Sequence, residues 1–171
     1  RDLTESSIKR IAALANLEDC LYYQAGGPVA NLQQYIDSII PVLLNSSLVS
    51  PETIITINEV SSILIPANLA TPLSIVIYEL LENCIHHAFE PGSPANYILV
   101  KMSAGETIGT SINYLELSIQ DSGIGIPDHI KDPAHASSGI AMVQSIVTKL
   151  GGTIHFSDTT VSITVPYQDN A

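Results

Sequence analysis

Apolar residues recur along this chain at two different periods. In the stretch LSIVIYELLENCIHHAF, residues 73–89, Leu73, Ile77, Leu81, Cys84 and Ala88 follow one another at steps of four, four, three and four. That is the stripe of a helix with one face in a core. Thr71 is expected to cap this helix and Pro72 to occupy its first position. A second helix is expected from about Ala30 to Asn45, with Leu32, Tyr35, Ile36, Ile39, Ile40, Leu43 and Leu44 on a broad apolar face. A third runs from Ile140 to Leu150, with Ile140, Val143, Ile146, Val147 and Leu150 inward, and stops at Gly151-Gly152. At the start of the chain a helical period passes through Ile8 and Ile11 and continues to Leu21.

Between these helices the period changes to two. Thr53 to Val60 is rich in β-branched residues and predicts a strand. Ser62 to Pro66 predicts a short one, and Tyr97 to Ser103 and Tyr114 to Asp121 two more, joined by a Gly-rich connection. Thr153 to Phe156 and Val161 to Val165 complete a final hairpin. The cluster Gln24-Ala-Gly-Gly-Pro28 is the best boundary by its breaker content. It divides residues 1–25 from 26–171. The polar stretch Pro127 to Ser138 predicts a loop.

Composition narrows the class. With 171 residues and 46% hydrophobic content, the chain is large enough for one well-packed domain and an appendage. Seventeen acidic against six basic residues give a net charge of −11. That balance argues against nucleic acid or an anionic membrane surface as partner. No apolar run approaches the ~20 residues of a membrane span. Cys20 and Cys84 have no metal-ligand spacing and are expected to be free thiols in a reducing, cytoplasmic compartment. The chain begins at Arg1 with no signal peptide and is expected to be a piece of something longer.

The chemistry gathers on three stretches. On the central helix Glu79, Asn83 and His87 lie four apart, with His86 beside them, on a stripe separate from the apolar one. A carboxylate, a carboxamide and two imidazoles are more than a solvated face needs. Asp121-Ser-Gly-Ile-Gly-Ile-Pro127 follows a strand and gives a turn where bare backbone can approach a flat ligand. Ser137-Ser-Gly-Ile140 opens a helix with small residues, leaving N–H groups suited to phosphate. Taken singly, each has a plain alternative: an ordinary turn with an aspartate, a solvent-facing helix stripe, a common helix start. Zinc binding by His86 and His87 is disfavoured, because adjacent side chains on a helix diverge by about 100°.

In this order, the three stretches resemble the asparagine box and the two glycine boxes of the GHKL ATPases. Within that superfamily the chain resembles the catalytic end of a sensor histidine kinase. Residues 79–89 match its E-L-x-x-N-A-x-K-H-A-F, and residues 121–127 match D-x-G-x-G-[IL]-P without a gap. Residues 10–22 resemble the end of a dimerisation helix in the HWE-like branch, departing from it at Glu18 and Asp19. The resemblance implies a two-layer α/β sandwich of the α+β kind, with a mixed sheet covered on one face by three helices and the tail of a dimerisation helix in front.

It also implies roles. Asp121 would accept a hydrogen bond from the adenine amino group. Gly123, Gly125 and Ile126 would pack against base and ribose, and Thr159 would help to hold the adenine. Asn83 would offer its oxygen to Mg²⁺, a hard cation that favours oxygen, and Glu79 would orient or activate the attacking group. His86, His87, Lys131, Ser138 and Gly139 would face the phosphates, with residues 127–138 as a lid. The partners implied are ATP, a response-regulator receiver domain and a second copy through the N-terminal helix. None of the histidines, at 86, 87, 129, 135 and 155, has the acceptor pattern, so the acceptor is expected upstream. Two rivals remain at this stage: a phosphotransfer or docking protein that kept the fold and lost catalysis, and a serine kinase of the anti-sigma type.

His86 stands where the family has a phosphate-facing lysine. A free imidazole has a pKa of ~6.5, and bound phosphate favours its charged form. ATP affinity is then expected to rise as pH falls from about 8 to 6, and His86→Lys to remove much of that dependence. Titrating ATP affinity across this range in both proteins checks it, and superimposable profiles would remove His86 from the phosphate site.

Overall fold

A computed structural model of the protein describes residues 7, 11, 14–46, 54–60, 63–89, 96–106, 113–127 and 138–168. Residues 14–18 are helical and are followed by strand β1, Leu21–Gln24, strand β2, Gly27–Asn31, and helix α1, Leu32–Ser46. Next come β3, Ile54–Val60, β4, Leu64–Pro66, and helix α2, Ala67–Asn83, which runs on into a π-helical turn, Cys84–Ala88. Strands β5, Asn96–Glu106, and β6, Asn113–Asp121, precede helix α3, Ser138–Lys149. Strands β7, Thr153–Phe156, and β8, Thr160–Tyr167, complete the order.

The larger sheet has the order β3-β5-β6-β8-β7. It is mixed: β3 and β5 are parallel, and the other neighbours are antiparallel. A parallel pair needs a crossover, and α2 lies on that crossover. Ile98 at the start of β5 faces Asp121 at the end of β6, and Gln120 faces Thr160 at the start of β8. These three strand ends therefore share one edge of the sheet with the end of the crossover. Along β6 the side chains of Leu115, Leu117, Ile119 and Asp121 are buried in alternation. Asp121 thus continues the core face of its strand, a place where an apolar residue would be the ordinary choice.

The three helices supply the other half of the core. All five residues of the predicted apolar stripe, Leu73, Ile77, Leu81, Cys84 and Ala88, are buried, and so are Val76, Tyr78 and Leu80. The buried Tyr35 hydroxyl on α1 donates to the Ser74 carbonyl on α2 at 3.0 Å. Burial pushes that phenol well above the ordinary tyrosine range, so it remains a donor. Helix α3 ends in a Schellman turn: Gly152 N–H reaches the Val147 carbonyl, Gly151 N–H reaches that of Thr148, and Gly151 has φ +71°.

Three local expectations are overturned. Leu21 is not the last turn of the N-terminal helix but the first residue of β1. The sequence Leu21-Tyr-Tyr-Gln24 is strand-forming, and it pairs with residues 27–30 around Ala25-Gly26. Thr71 does not cap α2, and Pro72 is inside it. Helix α2 starts at Ala67, after Pro66, and the Thr71 hydroxyl donates back to the Ala67 carbonyl at 2.9 Å. The hydrogen bond that Pro72 cannot make would go to the carbonyl of Asn68, an exposed residue that water can serve. Finally, the α-helix does not continue to Phe89, because its last turn widens from Cys84. A small sheet of order β1-β2-β4 adjoins the core, and Leu17 and Cys20 are buried within the same hydrophobic cluster.

Replacing the fully buried Leu81 by alanine removes packing at the centre of this cluster and should cost about 2–5 kcal/mol. Tyr35→Phe loses one hydrogen bond and should cost about 0.5–1.5 kcal/mol. Urea unfolding of the two variants beside the parent checks the ranking, and a reversed order would misplace the centre of the core.

Candidate functional site

The central helix reaches the sheet edge as its backbone changes. Over a π-turn successive N–H groups bond five residues back, and each residue turns through a smaller angle. A residue three on from another is about 60° short of a full turn in an α-helix, but about 115° short in a π-turn of roughly 4.4 residues. The widened turn swings His86 away from the Asn83 stripe and keeps His87, four on, close to it. Both imidazoles are exposed, with ring centres 6.4 Å apart. His87 lines a cavity together with Asn83, while His86 is not part of that lining.

The π-turn ends on the Ala88 carbonyl, which accepts a 2.9 Å hydrogen bond from Ile124 N–H. This bond clamps the loop after β6 onto the helix. It also explains Gly123, because a Cβ placed there would sit 2.0 Å from the Ala88 oxygen. Gly125 has φ +84°, and its neighbour Ile126 donates to the Asp158 carbonyl at 2.6 Å. The loop is thus held on one side by α2 and on the other by the turn before β8. Asp121 N–H reaches the Thr159 carbonyl at 3.0 Å, which places Thr159 beside the end of β6.

Between these anchors lies a cavity of about 380 Å³. Leu80, Ile119, Ile124, Ile126, Ile140 and Val161 give it apolar walls, and Asn83, His87 and Asp121 are its polar points. Such a space, mostly apolar with a few convergent polar groups, is the usual form of a small-molecule site. Ile124 is 66% exposed although it lines the cavity, so one wall is an apolar side chain held in water.

The polar points differ in state. Asp121 is 6% exposed; its Oδ1 accepts from Gly123 N–H at 2.8 Å and its Oδ2 from the Cys84 thiol at 3.6 Å. Burial raises its pKa above the ordinary aspartate range, and the bonds from Gly123 and Cys84 draw it partly back. The Cys84 thiol is itself pushed well up, first by burial and then by the neighbouring carboxylate. Among the described residues Asn83 Nδ2 is buried without a hydrogen-bond partner. A buried donor without an acceptor costs about 1–3 kcal/mol, and an anionic ligand in the cavity would relieve that cost.

Glu79 is 5% exposed and lies against the start of α3. A Cβ on Gly139 would be 2.5 Å from Glu79 Oε2, so the missing side chain of Gly139 is the space this carboxylate fills. A carboxylate at a helix N-terminus is favoured by the unpaired N–H groups there. The predicted stripe therefore grades from a buried Glu79 through a half-buried Asn83 to an exposed His87. Ser138 is the first residue of α3, while Lys131 and the rest of the expected lid, 128–137, lie outside the described residues. Among the described residues no three His, Cys, Asp or Glu side chains gather as a metal-ligand set. Sequence reasoning missed the contact of Cys84 with Asp121, having assigned Cys84 to the core stripe. It also missed the Asp158 carbonyl, for which a backbone acceptor leaves no residue-type signal.

Gly123→Ala should force the loop off the Ala88 carbonyl. Overpacking of this kind costs about 1–3 kcal/mol, read as a fall in the thermal midpoint of about 2–12 °C. An unchanged midpoint would mean that the loop is not clamped.

Comparison with known proteins agrees with this geometry. Residues 68–169, from the start of α2 to just past β8, match the family described as histidine kinase-, DNA gyrase B-, and HSP90-like ATPase. The sensor histidine kinase PdtaS of Mycobacterium tuberculosis is 28% identical over 160 residues, 92% of this chain. The PdtaS of Mycolicibacterium smegmatis is 29% identical over the same length. The chain spans 30% of the length of these relatives. The fold resembles that of the histidine kinase domain from the blue-light activated histidine kinase EL346 of Erythrobacter litoralis. That likeness has a TM-score of 0.71 and 20% identity, and covers 95% of this chain and 74% of that one. The mycobacterial sensor histidine kinase MprB aligns at a TM-score of 0.59 with 19% identity, over 81% of this chain and 97% of its own. With more than half of its length matched, the chain belongs to the histidine kinase-, DNA gyrase B-, and HSP90-like ATPase family.

Proposed function

We propose that the cavity binds Mg–ATP and that the chain is the catalytic domain of a sensor histidine kinase, passing the γ-phosphoryl group to a histidine outside this sequence. One observation carries the proposal: a buried aspartate and an asparagine amide nitrogen that is buried without a partner among the described residues open into the same apolar space. The aspartate meets a base and the amide meets an anion. Family membership and the PdtaS likeness support the same reading.

Each residue then has a task. An ionised Asp121 only accepts hydrogen bonds, so it favours the 6-amino group of adenine over the 6-carbonyl of guanine. The apolar walls sandwich the base, with Gly125 and Ile126 presenting main chain and Thr159 close by. Asn83 would turn its amide nitrogen to a phosphate oxygen and its oxygen to Mg²⁺. The metal, when bound, neutralises charge on the phosphate oxygens. His87, which lines the cavity with Asn83, would face the phosphates, with Ser138 and Gly139 as further candidates; His86 is outside that lining, and Lys131 is carried over by the resemblance alone. Glu79 would orient the incoming nucleophile. Phosphoryl transfer asks chiefly for such positioning and charge neutralisation.

On this reading the helical residues up to 18 end the dimerisation helix, and the expected boundary at 25/26, which falls in the turn of the β1–β2 hairpin, moves to before β1, where the ATP-binding domain begins. The full protein would pair through that helix and hand phosphate on to a receiver domain in the cytoplasm. Among the described residues no helix is long and apolar enough to cross a membrane.

Calorimetry with ATP and ADP, with and without Mg²⁺, tests the proposal; absence of heat and of any thermal shift at millimolar nucleotide would sink it. Asp121→Asn replaces the ionised acceptor and should weaken ATP by about 1–3 kcal/mol. The effect on the unliganded protein runs the other way. The folded protein binds the Asp121 proton more tightly than the unfolded chain does. The stability this group contributes therefore falls as pH rises from the unfolded pKa, ~3.9, through the raised folded value, and is level above it. At pH 7, Asp121→Asn should be at least as stable as the parent, and this part of the pH dependence should vanish. A variant with weaker ATP binding and lower stability together would point to general damage instead.

A further inference from the structure

Cys84 occupies a position that packing alone would fill. It ends the apolar stripe of α2 and opens the π-turn, and a methyl group there would complete the stripe. Its sulfur nevertheless lies 3.6 Å from Asp121 Oδ2 and donates to it, and both residues line the cavity at 8% and 6% exposure. The other carboxylate oxygen is held by Gly123 N–H at 2.8 Å. The two donors come from different elements, one from the helix and one from the loop after β6. A carboxylate torsion is broad and roughly two-fold when unrestrained, and a donor on each oxygen restricts it. Next to Cys84, the Asn83 amide nitrogen is buried without a partner among the described residues, which supports a ligand at this end of the cavity.

We propose that the Cys84 thiol is a positioning residue for nucleotide selection: its S–H holds Asp121 Oδ2 so that the carboxylate keeps the orientation that reads the 6-amino group of adenine. The inference rests on the cavity being an adenine site. The thiol suits the task because an ionised carboxylate only accepts, so at 3.6 Å from Asp121 Oδ2 the S–H is the donor. Loss of the thiol leaves Asp121 in place but held at one oxygen alone, by Gly123, so the damage falls on discrimination between bases.

The test measures affinities of the whole chain for ATP and for purine riboside triphosphate, which lacks the 6-amino group. Cys84→Ala should lower the preference for ATP about threefold to tenfold, the range of one modest hydrogen bond. Cys84→Ser, which retains a donor, should keep the preference within about twofold of the parent. A residue that only fills space would show no such rescue, because serine and alanine would then behave alike. The S–H stretching bands of the parent and of Asp121→Asn give a second reading that needs no change at Cys84. One band should move to higher frequency when the charged acceptor is replaced by a neutral one. An unmoved band, or an ATP preference unchanged in Cys84→Ala, overturns the inference alone. Failure of the parent to bind ATP overturns the nucleotide reading, and the inference with it.

Discussion

The Ala88 carbonyl and the Ile124 N–H meet at 2.9 Å, with the bare α-carbon of Gly123 pressed against the same oxygen. The site depends on this junction. It joins the end of a crossover helix to the end of a central strand through main chain, so both elements are brought to one cavity by backbone, and the contact of Cys84 with Asp121 adds only the orientation of the carboxylate. The widened turn at Cys84–Ala88 is what aims the Ala88 carbonyl at the loop. A helix that kept its α-period would present a different carbonyl at a different angle.

Asp121 shows the tension that such a site contains. It continues the buried face of β6, where Leu115, Leu117 and Ile119 precede it. A carboxylate there loses hydration and recovers only part of the cost through Gly123 and Cys84. Stability alone would favour another apolar residue at this position; recognition of an amino group favours the carboxylate. The same tension holds at Asn83, whose amide nitrogen is buried without an acceptor among the described residues. Glu79 is different, since its carboxylate rests against the start of α3.

Much of this architecture was legible from residue patterns. The apolar stripes placed α1, α2 and α3, and the period of two placed β3, β5, β6 and the β7–β8 hairpin, because burial on one face imposes a spacing that no single residue can hide. The motif of residues 121–127 located the loop, and its two glycines are explained by a close approach and a positive φ. What was not legible depends on main chain or on distant partners. The start of α2 at Ala67 was hidden because proline and threonine are good start signals, and here both are inside the helix. The first hairpin was hidden because helical period and strand propensity compete over Leu21-Tyr-Tyr. The π-turn, and the contact of Cys84 with a residue on β6, have no signature in local sequence at all.

The loop after β6 is pinned at two points by bonds outside the sheet ladder, Ile124 to Ala88 and Ile126 to Asp158. Its ordering entropy is therefore lost when the protein folds and not when a ligand arrives. Preorganisation of this kind couples two properties that are usually treated apart. A change that loosens the loop weakens the fold by the bonds it breaks. It weakens binding again, because the ligand must then order what folding no longer does. Substitutions along Gly123 to Ile126 should for that reason shift stability and affinity in the same direction, in contrast to those at the buried polar side chains, where the two move apart.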